Sequence, residues 1–287
     1  MEYLQNAFSR TGGYVATGLV LTGSAWFFYR KWTQQQQAEF KPRKCGVDYQ
    51  RDIVVLHGFR RDRLVPNLGH FVMKLETYLR VTKIPYELDS VFRIGPKKKT
   101  PWIEYNGKTI SDSQHIIEFL QQEFSVDLNA HLTSKERAHA WSIQKWLEEF
   151  TYWLNVHTRW VIFSDEFFAM ASTLPNIARL KKETKTRLKN MTYTVGIGRH
   201  SNEEIHRMMV NDIRMFAEIL GDNRFVMGDR ISDVDCAAFG VLSQVRWGTP
   251  TTCPGASMLR DGGLKNVTDY LDRIKDLYWP DWDTLTS

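Results

Sequence analysis

Two neighbouring pieces of one short stretch carry groups that could hold a small ligand. In "KTPWIEYNGKTISDS", Lys99 to Ser113, a Thr100-Pro101 pair opens the hydrophobic strand "PWIEY", and Asp112-Ser113 precedes the amphipathic run "QHIIEFL". Proline cannot donate to a β-ladder, so Pro101 belongs at the first position of its strand. A cis bond there exposes neighbouring backbone groups. Ser113 is placed to cap the following helix, whose free N–H groups and positive dipole end attract a carboxylate. Asp112 can pair with an ammonium group. A hairpin with a helix cap is the plain reading of the stretch; a pocket for a small ligand carrying both a carboxylate and an ammonium is the functional one.

The elements that would position these residues follow from the patterns around them. "DIVVLHGF", Asp52 to Phe59, is a continuous apolar run that reads as a buried strand, followed by the basic loop Arg60, Arg61 and Arg63. Phe71, Val72, Leu75, Tyr78, Leu79 and Val81 recur at helical spacing. "YELDSVF" is a second strand, with a short helix allowed before the hairpin "PWIEY"–"KTI", which Asn106-Gly107 closes. The order is β-α-β-β-β-α over residues 51–130. From Ser134 to 283 the pattern changes to helix alone. A long aromatic-rich helix, "KERAHAWSIQKWLEEFTYWLNVHTRWVIF", carries Trp141 to Trp160, expected as inter-domain core, and helical stretches follow at 176–190, 202–220, 234–244 and 264–277. Ser232 with Asp235, and Ser201 with Glu204, form capping boxes that start helices. Gly196-Ile197-Gly198 is no dinucleotide fingerprint, because the third glycine and a preceding strand are missing.

The chain of 287 residues holds 43% hydrophobic and 13% aromatic residues, a globular composition. Its net charge of +5 is too small to argue for nucleic acid. Three cysteines without a CxxC pair argue for a reducing compartment, and the eight histidines show no metal-ligand spacing, so no metal is expected. The N-terminus stands apart. Thr11 to Tyr29 carries no charge and as a helix would extend about 28 Å, close to the ~30 Å hydrocarbon core of a bilayer. Arg30, Lys31, Lys41, Arg43 and Lys44 follow it, which places the C-terminal side in the cytosol. Residues 1–32 are expected to be a membrane anchor that spans at 11–29, with a cleaved signal peptide, a hydrophobic interaction helix or a disordered tail as the alternatives, and 33–50 a linker. "RLKKETKTRLK", Arg179 to Lys189, reads as a solvated helix face that could also meet acidic lipid headgroups.

Five ordered blocks, "KLETYLRVTKIPYE", "PWIEYNGKTISDS", "GIGRHSNEEI", "GDRISDVDCAAFGVLSQV" and "RIKDLYWPDW", resemble the failed axon connections family, a glutathione-transferase-like group related to metaxins and nematode cadmium-response proteins. The resemblance implies a thioredoxin-like α/β domain followed by an all-α domain. It implies that Pro101 is a cis-proline, that Thr100, Pro101 and Trp102 lie at a glutathione-type site, and that Asp112 and Ser113 lie where the γ-glutamyl end of glutathione binds in active transferases. Such transferases ionise the thiol, whose ordinary pKa is about 8.5, with a Tyr or Ser hydroxyl or act through a Cys. Relatives often read Ser-x-x-Cys before K-L-E-T; this chain reads Gly69-His70-Phe71-Val72 before Met73. Asn67 and His70 are the remaining candidates, with a surface helix histidine the plain reading of His70. The resemblance implies protein partners, dimerisation across the domain boundary, and roles near axon development or the mitochondrial surface. Two functions stay open: an anchored binding or scaffold module at the mitochondrial outer membrane or another organelle, or a glutathione-dependent transferase or reductase of small electrophiles.

Overall fold

A computed structural model describes residues 43–91, 93, 95–171 and 177–287, with backbone alone for 177–180. The expected anchor at 1–32 lies outside the described residues; among these, no helix is long and apolar enough to cross a membrane.

The first half is built on four strands, β1 (Val54–His57), β2 (Tyr86–Asp89), β3 (Trp102–Tyr105) and β4 (Lys108–Ser111), in the order β2-β1-β3-β4. β1 and β2 are parallel, joined through α1 (His70–Thr82), while β3 runs antiparallel to both β1 and β4. Strand alternation decides what each face carries. Val54, Leu56, Ile103 and Tyr105 point to α1 and α2 (Ser113–Phe124) and share a core with Val72, Leu75, Leu79, Ile116, Ile117 and Leu120. His57, Trp102 and Glu104 point to the opposite face and are also buried. No helix occurs between β2 and β3 among the described residues, where one was allowed.

That opposite face is covered by the end of the expected linker. Arg43 and Tyr49 hold it to the sheet, while Lys44, Gly46, Val47, Asp48 and Gln50 stay exposed. Tyr49 is buried and its hydroxyl accepts from the N–H of Gly107. The Arg43 guanidinium reaches Glu104 Oε2 at 2.6 Å and Asp89 at 3.4 Å, and His57 Nε2 meets Glu104 Oε2 at 2.8 Å. The His57 ring stacks on Trp102 with centroids 3.6 Å apart. Burial is the main cause that lowers the His57 pKa, against the pull of Glu104.

The second half is helical. α3 (Ser134–Trp146) and α4 (Tyr152–His157) are segments of the expected long helix, and π-turns at Leu147–Thr151 and Thr158–Ile162 interrupt it. Then come α5 (Ser164–Met170), α6 (Ile177–Thr194), a 3₁₀ turn (Ile197–Arg199), α7 (Asn202–Leu220), α8 (Asp233–Arg246), α9 (Pro254–Arg260), α10 (Lys265–Tyr278) and α11 (Trp282–Leu285). α8 is buried along its whole length before Arg246, at the centre of the second core. The stretch from Trp141 to Trp160, expected as inter-domain core, is so only in part. Trp146 and Trp153 pack against the core, whereas Trp141 is 50% exposed, with Lys145 Nζ 4.4 Å from its ring centroid.

Candidate functional site

The hairpin register brings the candidate residues to one end of the sheet. Trp102 pairs with Ser111 across β3–β4, and His57 pairs with Trp102 across β1–β3. Pro101, Asp112 and the end of β1 therefore leave the sheet together, beside the start of α1. The Thr100–Pro101 peptide is cis, and Pro101 is buried. Asp112 has φ 85° and is the residue that caps α2: its carboxylate accepts from the N–H of Gln114 at 3.0 Å. Ser113, expected as the cap, is the first helical residue instead. The positive φ of Asp112 turns its own carboxylate back over the first turn, and Ser113 is left buried, with its N–H among those the helix does not use. Asp112 itself is exposed. The corner thus pairs a helix N-terminus with an acidic side chain at its mouth, the chemistry that a carboxylate and an ammonium on one small ligand require.

Trp102 does not present its side chain to this corner. Its ring lies under the sheet against His57, and its indole N–H donates to the carbonyl of Arg93 at 3.1 Å. It contributes backbone there.

Behind the corner sits a network that sequence reasoning missed. Lys74 of α1 is buried; its Nζ donates to Glu148 Oε1 at 2.5 Å and to Gln114 Oε1 at 3.1 Å. Gln144 Nε2 also donates to Gln114 Oε1, at 2.7 Å. The start of α2 is thereby fixed to α1 and to the helical half. One signal was readable: Lys74 falls at helical spacing from the apolar Phe71 and Tyr78, where an unpaired buried charge would be prohibitive.

The two candidate thiol activators, Asn67 in the loop after β1 and His70 at the start of α1, are both engaged elsewhere. Asn67 is fully buried: its amide donates to the carbonyl of Phe59 at 2.6 Å, and its Oδ1 accepts from the N–H of Gly69 at 3.0 Å. His70 is buried, not a surface residue. Its Nε2 meets Asn155 Oδ1 at 2.7 Å, and Tyr152 packs edge-on to its ring. The reason is the position of α1, which the sheet covers on one side and α8 on the other. Burial, helped by nearby Arg159, holds the His70 pKa well below the ordinary value, so the ring is neutral. Asn155 in turn donates to Thr249, and Arg159 reaches Gln244 Oε1 at 2.6 Å and the carbonyl of Leu68 at 3.0 Å. The basic loop is also largely spent. Arg61 forks onto Glu76 and Arg63 donates to the carbonyls of Ala169 and Met170, while Arg60 is exposed.

Ser232 and Asp235 form the expected box. The Asp235 carboxylate accepts from the N–H and the hydroxyl of Ser232, both at 2.8 Å, and also from Val226 N–H and the Tyr270 hydroxyl. Among the described residues no cluster of His, Cys, Asp and Glu could hold a metal ion.

Comparison with known proteins gives the site a context. Residues 70–167 match the model of the glutathione S-transferase N-terminal domain, and 209–274 that of the C-terminal domain. Failed axon connections of Drosophila melanogaster is 30% identical over 265 residues, which cover 84% of this chain and 62% of that protein. Isoprene-epoxide–glutathione S-transferase of Rhodococcus sp. (strain AD45) is 24% identical over 79% of this chain and 99% of its own. Among solved structures, glutathione transferase GSTFuA3 from Phanerochaete chrysosporium superposes with a TM-score of 0.58 at 12% identity, covering 79% of this chain and 98% of that one.

Proposed function

Because the chain belongs to the glutathione-transferase-like family that includes failed axon connections, we propose that it binds a glutathione-type ligand at the Pro101–Asp112–Ser113 corner without activating the thiol, and acts as a binding or scaffold module. The observation that carries this reading is the fate of Asn67 and His70: each is buried, the Asn67 amide is held by Phe59 and Gly69, and Nε2 of His70 is held by Asn155. A histidine held neutral by burial and bound to Asn155 is a strut between domains. The residues of the corner fit the ligand. Ser113 offers backbone N–H and hydroxyl groups to a carboxylate, Asp112 an anion to the ammonium, and the backbone beside cis-Pro101 is the natural partner for the middle of an extended tripeptide.

Calorimetric titration of glutathione into the full chain tests this. The expected result is binding in the micromolar to low-millimolar range that Asp112→Ala/Ser113→Ala weakens at least tenfold, since charge-assisted hydrogen bonds contribute about 1.5–3 kcal/mol each, together with no turnover of a model electrophile. No binding by the folded chain would remove the ligand from the proposal. The second reading, a transferase or reductase of small electrophiles, is favoured by the full-length match to the isoprene-epoxide enzyme. Turnover that His70→Ala abolishes while glutathione still binds would establish it.

The anchoring of the module through residues 11–29, at the mitochondrial outer membrane or another organelle, is part of the same proposal, supported by the uncharged run and the basic residues after it. So are protein partners, for which the fruit-fly relative's name directs the search to axon connections, and a homodimer. Partitioning of a tagged chain lacking residues 1–42 tests the anchor: a distribution identical to that of the full chain would remove it.

A further inference from the structure

The charged cluster under the sheet joins the end of the linker to the fold, and one nitrogen in it is claimed twice. Arg43 is tied to β3 through backbone and side chain together. Its N–H donates to Glu104 Oε1 at 3.0 Å and its Nε to Glu104 Oε2 at 2.6 Å. Its Nη1 lies 3.4 Å from Asp89 Oδ2. The ring of His57 stands between these two carboxylates. Nε2 is 2.8 Å from Glu104 Oε2 and 3.3 Å from Arg43 Nη2. Nδ1 is buried, 3.5 Å from Asp89 Oδ2, and makes no hydrogen bond among the described residues.

The chemistry of the neighbours fixes the state of the neutral ring. A guanidinium only donates and an ionised carboxylate only accepts. A bare Nε2 would press its lone pair on the Glu104 carboxylate at the shortest distance in the cluster around the ring. The proton therefore sits on Nε2 and is given to Glu104, and Arg43 Nη2 is left facing another donor. Nδ1 keeps its lone pair, aimed at Asp89. A second proton on Nδ1 turns that contact into a hydrogen bond once the gap closes by a few tenths of an ångström. The ring then has a carboxylate at each nitrogen and its own positive charge beside the guanidinium of Arg43. The other groups that face it are Arg93, whose Nε is 3.1 Å from Asp89 Oδ2, and the Trp102 ring stacked on its plane. Tyr49, the second hold of the linker end, bonds to the backbone of Gly107 and takes no part in this contest.

We propose that His57 is an acid-operated release for the end of the linker: a proton taken up at Nδ1 gives Glu104 and Asp89 to the imidazolium and displaces Arg43, while Tyr49 keeps its hold. Burial supports the sense of the device, because it keeps the ring neutral until the pH falls below the ordinary histidine value of about 6.5. A depressed folded pKa means that the hold is complete above that value and is lost as pH falls through the folded one. The device acts where residues 1–42 join the sheet. It uses none of Asn67, His70, Asp112 and Ser113, so it stands apart from the ligand corner.

Nitrogen NMR of the full chain labelled in its histidines tests this, together with site-resolved hydrogen exchange over residues 43–50 corrected for the intrinsic rate at each pH. The range runs from about pH 7.5 to about pH 4.5, either side of the ordinary histidine value. The neutral ring is expected to carry its proton on Nε2 and to gain the second on Nδ1. Exchange at the Arg43 amide is expected to rise about 10- to 100-fold with the same midpoint, the worth of one hydrogen bond to a charged group. Asp89→Asn moves both midpoints together to lower pH, because the imidazolium loses one of its carboxylates. His57→Gln keeps the Arg43 amide protected throughout the range. A neutral ring with a bare Nε2, or exchange at Arg43 that does not follow the His57 titration, would overturn the proposal. So would an equal rise in His57→Gln, which would assign the release to protonation of Glu104 or Asp89. Titration and exchange are both read on the unchanged chain, so the outcome stands even where His57→Gln does not fold.

Discussion

His157 shows how a single buried side chain sets a pH dependence. Burial, with Lys189 as a lesser cause, pushes its pKa down to about 4, and its Nδ1 is satisfied by Thr192. In the unfolded chain the ring titrates near its ordinary value of about 6.5. A depressed folded pKa means that the unfolded state binds the proton more readily. The contribution of this residue is therefore complete above about pH 6.5 and is lost progressively as pH falls towards 4, up to about 3 kcal/mol. Asp233, whose carboxyl burial raises to about 6, acts in the opposite sense, because it takes up its proton first in the folded state. The expected outcome is thus a difference: between pH 7 and 4.5 the urea midpoint of His157→Gln falls less than that of the unchanged chain. Parallel slopes would mean that His157 is not held neutral. None of this was legible in the sequence. His157 and His70 lie in helical stretches that read as well on a surface as in a core, and only the packing of α4 against α6 and of α1 against α8 decides. Asp112 is similar: "SDS" showed that a cap was there, but which residue caps depended on a backbone φ.

At the scale of elements, local chemistry was readable and helix-to-helix approach was not. The Asn-Gly turn, the two expected capping boxes at Ser201 and Ser232, and the β-α-β-β-β-α order all appear where the pattern put them. So do α7 and α10, whose apolar stripes are regular. Three short helices at 164–170, 254–260 and 282–285 went unread, since seven residues or fewer hold too little periodicity. The π-turns also left no trace. Gly240 is the instructive case. In a sequence it is a weak point of a helix, about 1 kcal/mol less favourable than alanine. In the fold it is where α8 touches α1: a Cβ there would lie 2.7 Å from the carbonyl oxygen of His70 and 2.9 Å from the backbone N of Lys74. Those are backbone atoms of a helix packed on both sides. Gly240→Ala is expected to destabilise by about 1–3 kcal/mol or more in chemical denaturation, although propensity alone predicts a gain. A gain would show that α1 and α8 have room to separate.

The described part of the molecule is held together by ties that run between distant parts of the chain, and these also govern how the proposed anchor can be tested. Arg43 is one of them. Its guanidinium sits on the buried Glu104 beside His57, so a truncation that removes it would leave a buried carboxylate without its main cation. Cutting after Pro42 keeps the pair. The expected outcome is that the shortened chain leaves the membrane fraction with an unchanged thermal midpoint. A cut after Lys44 should lower that midpoint as well, and loss of stability in both would mean that residues 1–42 support the fold.

The other long tie closes on α1. Arg80 forks onto Asp281 at 2.6 and 2.9 Å and lies 4.0 Å from the Trp279 ring centroid, and the Trp279 indole donates to Thr77. Asp281 follows Arg80 by 201 residues. At ~5–20 residues per second, a ribosome needs about 10–40 s to make that stretch. The apolar side of α1 is open to water until α8 follows at Asp233, and the Asp281 clamp comes later still. The thioredoxin-like half thus leaves the ribosome well before the distant partners that complete its packing.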